Sequence, residues 1–335
     1  VIWIYLMLAK HLDTNISTDN VSMVPNREGY GEGLKLAGER DARVVALCAD
    51  LTESTRTNIF AEAFPDRFVQ VGIAEQNMAS VASGMAAMGK IPFIASYAMF
   101  SPGRSWEQVR TTICYNEANV KIIGAHAGIS VGPDGATHQA IEDMAIMRVL
   151  PNMVVIAPAD VIEARKAVLA AAKYVGPVYI RIAREKTPVV TTEASPFVIG
   201  SAEVFYEKDP LHEKTVGIIT TGTLAHTAIV VATELNTEGV GASVLHMATV
   251  KPLDKKALDD FGKRHDIIVT IEEHQVLGGL GGAVAEYYAQ EMPKRVVRIG
   301  IQDQFGQSGT PDELIAFYGL DAKSILDRIH AVLAL

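Results

Sequence analysis

The sequence predicts an α/β fold of two doubly wound domains, the first built on a parallel sheet with helices on both faces. Three observations carry this expectation. Strand-like and helical segments alternate regularly from Pro25 to Ile182 and again from Thr215 onward. The strand-like runs are short, apolar and rich in β-branched residues, as strands buried on both faces are. The 335 residues, 49% hydrophobic and 21% charged, are enough for two cores of ordinary size.

Residues 1–22 are expected to lie outside the fold. The stretch 1–9 is apolar but far too short to span a bilayer, it lacks the basic front and cleavage site of a secretory signal, and 13–20 is polar and turn-like. The first domain is expected over 23–186. Within it 27–38 reads as a helix, 43–48, 68–71, 91–96 and 120–124 as strands, and 153–156 as another strand. Asp160 caps a helix over 161–174, and 177–182 is the last strand. Residues 187–210, with Pro188, Pro196, Pro210 and no helical period, are expected as a linker. The second domain, 211–335, should hold strands at 215–219, 242–246, 267–271 and 296–299 and helices beginning at Leu224, Lys255, Gly282 and Asp312. No fixed short repeat and no low-complexity tract occurs.

A net charge of -9 and a pI near 5.5 argue against non-specific binding to nucleic acid or to an acidic membrane, so any anion site must be a local basic pocket. No membrane-spanning segment is present in the sequence. Cys48 and Cys114 show no CxxC or Cys/His spacing, which suggests neither a disulfide framework nor a zinc site and fits the cytoplasm.

The stretch Val71-Gly-Ile-Ala-Glu-Gln-Asn77 follows a strand and opens a helix with Met78, Val81, Met85 and Met88 at helical spacing. Glu75 therefore lies at the carboxyl end of a strand, where open α/β sheets bind ligands. The plainer reading is an acid favouring the first helical turn. The helix is built from Ala79, Ser80, Ala82, Ser83, Gly84, Ala86 and Ala87, so something must pack very close to it. The loop 124–139 follows another strand and holds four glycines together with His126, Asp134 and His138. Such a loop can present main chain and short polar groups to a ligand, with histidines able to move protons near neutral pH. The hydroxyl-rich turn 50–57 suits a phosphate or, more simply, a helix cap. Tyr97, Phe100 and Trp106 suit stacking on a flat ring or, more simply, the core. Gly278-Gly-Leu-Gly-Gly282 departs from GxGxxG, and close packing of a helix start explains its glycines.

Taken together, these residues resemble the carboxyl-terminal half of transketolase, the thiamine diphosphate enzyme that moves a two-carbon ketol unit between sugar phosphates. The run from Gly72 to Gln76 resembles its catalytic-glutamate motif, Gly132-Pro-Asp-Gly-Ala-Thr-His-Gln139 its substrate loop, and the run from Leu150 to Asp160 the segment after that loop. The resemblance covers nearly the whole chain from about Pro25. It implies a pyrimidine-binding domain followed by a carboxyl-terminal transketolase domain with a mixed sheet. It implies that Glu75 meets the aminopyrimidine nitrogen of thiamine diphosphate, with Tyr97 and Phe100 lining the pyrimidine pocket. Arg27, Ser54, His126 and Arg184 would hold the substrate phosphate. Asp134 and His138 would meet the sugar hydroxyls near the reacting carbons, His138 also serving catalysis.

The family binds its magnesium ion through a Gly-Asp-Gly motif, which this chain lacks. The resemblance therefore implies that Mg2+ ligands lie on an amino-terminal partner subunit, that two copies of each chain assemble, and that this chain is inactive alone. Two related readings remain at this level: the β subunit of a 2-oxo acid dehydrogenase first component, and part of a deoxyxylulose-phosphate synthase. The phosphate set, with the loop from Asp134 to His138, favours a sugar phosphate over the first, and the second in its usual single-chain form carries the diphosphate domain that this chain lacks. A binding subunit without catalysis would not need Glu75 and the loop residues together.

Overall fold

The computed structural model describes residues 7–17 and 20–334. Strand β1 (Met23–Pro25) leads into α1 (Asn26–Arg40), β2 (Val44–Cys48), β3 (Phe68–Gln70), α2 (Glu75–Ala87), β4 (Ile91–Tyr97) and β5 (Lys121–Ala125). Then come α3 (Asp143–Arg148), β6 (Val154–Ile156), α4 (Val161–Lys173), β7 (Val178–Arg181) and β8 (Lys186–Pro188). The second half runs β9 (Glu203–Tyr206), β10 (Thr215–Thr220), α5 (Ala225–Thr237), β11 (Gly241–His246), β12 (Thr249–Lys251) and α6 (Lys255–Lys263). It closes with β13 (Ile267–Gln275), α7 (Leu280–Glu291), β14 (Val296–Ile301), α8 (Pro311–Phe317) and α9 (Ala322–Leu333).

The first sheet has the order β12-β6-β7-β5-β4-β2-β3, parallel throughout except for β12. The second has the order β14-β13-β10-β11-β9, parallel except for β9. The expected α/β class with a mixed second sheet is therefore present. Both faces of the first sheet are covered: Tyr30, Leu34, Phe60 and Val168 pack on one side, Met78, Ala82, Ile113 and Met147 on the other. Asp160 caps α4 as its sequence position predicts, accepting from the amides of Ile162 (3.0 Å) and Glu163 (2.9 Å). Its second oxygen takes the amides of Val190 and Thr191, tying the end of the first domain to the same cap.

The structure departs from the expected boundaries in three places. The expectation that 1–22 lies outside the fold fails for its described part, while 1–6 and 18–19 lie outside the described residues. Leu8, Leu12 and Ile16, spaced four apart, are buried in the core of the second domain, and Leu8 bridges Tyr206. Removing those apolar side chains from water outweighs the polar residues between them. The expected linker 187–210 contains β9, the antiparallel edge of the second sheet, so that sheet begins at Glu203. Strand β12 leaves the second half and pairs with β6, so the second domain supplies an edge strand to the first sheet. Short antiparallel edge strands have too few residues to show a period, which hides them in the sequence.

Strand β13 also runs on past the expected 271 to Gln275, and its last residues enter the contact between the domains. There Arg181 donates through Nε to both oxygens of Asp143 (3.2 and 3.0 Å) and through Nη2 to the carbonyls of Ala140 (3.4 Å) and Glu273 (2.8 Å). The Tyr179 hydroxyl donates to Asp143 at 2.6 Å. All of these side chains are buried. Removing one member of a buried pair strands the other, so Arg181→Met should destabilise the chain by about 3–5 kcal/mol, and Arg181→Met with Asp143→Leu should recover part of that loss. Urea denaturation midpoints of the three proteins check both expectations.

Candidate functional site

The carboxyl ends of the parallel strands of the first sheet all open on the same side, and the expected site residues leave from them. Ser54 follows β2, Glu75 follows β3, Tyr97 ends β4, His126 follows β5 and Arg184 follows β7. Arg27 lies in the first turn of α1. The buried side chain of Asn26 joins the two basic segments by accepting the amide of Ala183 at 2.8 Å.

Glu75 is the first residue of α2 and is only 2% exposed. Among the described residues its carboxylate has one ionic contact, Arg104 at 3.5 Å. Arg104 sits in the turn after β4, its amide bonded to the Phe100 carbonyl, so the catalytic-glutamate candidate and the aromatic segment are neighbours. The aromatic side chains form one group. Tyr97 stacks on His126 at 3.9 Å between ring centroids and lies 6.2 Å from Phe100. His138 meets Phe100 edge-on at 5.5 Å and Tyr97 at 6.4 Å. Tyr97, Phe100 and His138 are half-buried and leave ring surface to the cleft. Trp106 is not part of this group: its Nε1 donates to the Ile146 carbonyl at 2.8 Å, on the core side.

The basic residues form a second group beside the first. Arg27 donates to the Ser54 carbonyl at 3.0 Å, and its Nε is buried without a partner among the described residues. Burial together with Arg56 and Arg184 lowers the Arg27 pKa, against the pull of Glu28 and Glu185. Arg184 donates to the Val131 carbonyl at 2.7 Å and lies 3.5 Å from Asp134. His126 is buried in a left-handed conformation, φ 53°, and its Nδ1 has no partner among the described residues. Burial and the nearby Arg27 and Arg184 push its pKa down to about 3. Near neutral pH, His126 therefore offers a hydrogen bond and not a charge, and the general-base role that the sequence allowed at that pH is not available to it. An anion placed among the three guanidinium groups would relieve their mutual repulsion and satisfy the open Arg27 Nε.

The structure thus brings together Arg27, Ser54, His126, Asp134 and Arg184, and beside them Tyr97, Phe100 and His138, with Glu75 at the next strand end. Sequence reasoning missed three contributors. Arg56 adds positive charge next to Arg27 and is tied to Glu28 at 2.7 Å. Arg104 faces Glu75, and Asn26 joins α1 to the Arg184 segment. None of them carries a motif; only the position of Arg56 in the hydroxyl-rich turn hinted at it. The glycine loop before α7 is closed to an outside anion, since Glu272 accepts the amides of Leu280 (2.7 Å) and Gly281 (2.8 Å). A Cβ on Gly279 would lie 2.1 Å from that carboxylate, which accounts for the glycine by packing.

The helix that Glu75 opens has an uncovered face among the described residues. Helix α2 leaves Gly84 with nothing within 4 Å of where a Cβ would stand, and Ile73, Met88 and Tyr115 are 72%, 84% and 85% exposed. The close packing that the small residues of α2 demand on this face is not supplied by the described residues.

Among the described residues no helix is long and apolar enough to cross a membrane. Family models match in two places: "Transketolase, pyrimidine binding domain" over residues 22–189 and "Transketolase, C-terminal domain" over 209–325. A protein assigned provisionally as a transketolase carboxyl-terminal section in Methanocaldococcus jannaschii is 45% identical over 90% of this chain and 94% of its own length. A 6-deoxy-6-sulfo-D-fructose transketolase subunit from a Clostridium species is 38% identical, covering 91% of this chain and 94% of that one. A solved structure described as a split gene transketolase in an inactive β4 tetramer superposes with a TM-score of 0.84 at 42% identity, over 94% of this chain and 99% of that chain. In transketolases such as the human one, by contrast, the match covers only about half the length, 49% of it.

Burial sets a pH dependence for the site. A histidine whose folded pKa is about 3 and whose unfolded pKa is about 6.5 gives its full stability above pH 6.5 and loses it as pH falls towards 3. The variant His126→Asn should therefore gain on the natural chain as pH is lowered, and urea midpoints at pH 7 and pH 5 measure the difference.

Proposed function

The chain belongs to the transketolase family as a carboxyl-terminal subunit, and from this we propose that it completes a split enzyme that transfers a two-carbon ketol unit reversibly from a ketose phosphate to an aldose phosphate. The observation that carries the reading is the adjacency of a buried carboxylate, an aromatic ledge and a cluster of guanidinium groups at the carboxyl ends of one parallel sheet. Its relatives act on different sugars, one of them a sulfonated one, so the anion is the part of the substrate this chain is best equipped to recognise.

The residues fit a thiamine-type cofactor: Glu75 is buried yet almost unpartnered, and Tyr97 and Phe100 expose ring surface beside it. Thiamine diphosphate, when bound, supplies the carbon nucleophile that carries the two-carbon unit. Glu75 would hold a proton at its carboxylate against the pyrimidine nitrogen, with Tyr97 and Phe100 packing on the ring. Arg27, Arg184, the Ser54 turn and neutral His126 would bind the phosphate, and Asp134 and His138 would orient the sugar hydroxyls. The magnesium ligands are assigned to an amino-terminal partner, two copies of each chain forming the assembly in the cytoplasm. The open face at Ile73, Gly84, Met88 and Tyr115 is its docking surface, consistent with the small residues of α2.

Co-expressed with its amino-terminal partner, thiamine diphosphate and magnesium, the chain should form sedoheptulose 7-phosphate from xylulose 5-phosphate and ribose 5-phosphate. A cofactor-loaded complex that makes none would sink ketol transfer between these sugars, and pyruvate would be the next donor to assay. Glu75→Ala should abolish turnover in a complex of unchanged size; turnover that survives it rules out the proposed role of the carboxylate. Met88→Glu places a charge on the open face and should weaken assembly, read by analytical ultracentrifugation, while the melting temperature of the isolated chain stays the same.

A further inference from the structure

The buried carboxylate of Glu273 belongs to the second domain, yet it reaches into the first. Oε1 accepts the amide of Ser130 at 2.8 Å, and Oε2 accepts the Thr223 hydroxyl at 3.1 Å. Its own carbonyl takes the Arg181 guanidinium at 2.8 Å, which fixes the main chain from which the side chain extends. Ser130 lies in the tight turn Ile129–Asp134, and the next carbonyl, that of Val131, receives the guanidinium of Arg184 at 2.7 Å. Asp134, at the end of the same turn, lies 3.5 Å from Arg184. One bond from the second domain is thus a single residue removed from the placement of Arg184.

The loop is shaped for this contact. Gly128 has φ 89°, and a Cβ there would stand 2.2 Å from Glu273 Oε1. A second tie comes from Gln139, whose Nε2 donates to the carbonyls of Ile129 (3.2 Å) and Gly132 (3.1 Å) and, across the domain boundary, to that of Gln307 (2.9 Å).

We propose that Glu273 is a positioning residue of the second domain, holding the turn Ile129–Asp134 in place so that Arg184 and Asp134 face the substrate. The inference rests on the reading of that loop as a sugar-phosphate loop. It gives the second domain a part in substrate binding through a side chain that acts on the loop. A carboxylate suits the task because a charge-assisted bond to an amide holds more firmly than a neutral one.

The test has two arms. In the isolated chain, Glu273→Ala should speed hydrogen exchange at the Ser130 amide by about tenfold or more, the factor expected from losing one bond to a charged group, while Glu273→Gln, whose amide oxygen still accepts but carries no charge, should fall between the two. In the complex with the amino-terminal partner, Glu273→Ala should raise KM for the sugar phosphate by about tenfold with a smaller change in kcat, and Glu273→Gln should recover part of that loss. Gly128→Ala, which pushes the loop from the carboxylate without removing a charge, should move both readouts the same way. Glu286→Gln breaks an ion pair with Arg148 between the domains but away from the loop, and should move neither. Unchanged exchange and KM in Glu273→Ala, or equal changes in Glu286→Gln, would overturn the proposal. Faster exchange in a complex that turns over no sugar phosphate would uphold the positioning of the loop, overturn its link to sugar-phosphate binding and count against the proposed activity.

Discussion

Arg181 sits where the two domains and the long loop after β5 converge, and the placing of all three depends on its neutralisation. An unpaired guanidinium at that depth would cost several kcal/mol, so Asp143 must be present and held, which is what the Tyr179 hydroxyl does. The remaining donors of the guanidinium then reach carbonyls from the loop, at Ala140, and from the second sheet, at Glu273. A guanidinium is planar and its donors diverge in a fixed fork. Acceptors from separate segments that satisfy one such group are therefore fixed relative to one another. The first sheet supplies the site residues, but the second domain decides how the loop lies over them.

The electrostatics of the cleft follow from the same economy of charge. Arg56 is matched by Glu28, and Arg184 by Asp134 and Glu185, while Arg27 makes no ion pair among the described residues and has a buried Nε to spare. His126 stays neutral because burial and two neighbouring guanidinium groups oppose its protonation. The cleft is thus poised for an anion without carrying a large net charge in its absence. That reconciles a local anion site with a chain whose net charge is -9.

Much of this was legible in the sequence, and the parts that were not share a cause. The parallel strands were visible because burial on both faces makes them continuous apolar runs, and Asp160 because a cap has a local chemistry of its own. His126, Asp134 and His138 stood out because four glycines in one loop are hard to explain without a close approach. The strand β12 and the segment 7–17 were hidden because their reasons lie far along the chain: β12 pairs with β6, and Leu8, Leu12 and Ile16 fill a core formed mainly by residues beyond 200. Arg56, Arg104 and Asn26 were hidden for the same reason, since each matters only through a partner on another strand end. The run Glu272-Glu-His274 lies just past the strand expected at 267–271. It is instead the end of β13, two of its carboxylates taken up by amides at a helix start and in the loop.

The helix α2 poses a different kind of problem, because its composition is explained only in part by what it touches. Met78, Ala79 and Ala82 face the sheet and are buried, which accounts for one side. Gly84 meets no described residue, while Ile73 before the helix and Met88 after it are exposed. A glycine in an exposed helix interior costs about 1 kcal/mol relative to alanine and gains nothing here from neighbours within the described chain. Large apolar side chains around it add to the cost in water. Both features become favourable together only if another backbone comes close to that face, since small residues permit the approach and large ones at the rim seal it. Glu75 opens this same helix, so a surface arranged to be covered lies directly beside the carboxylate on which the proposed chemistry turns. What the described residues leave uncovered is a face of the helix that this buried acid opens.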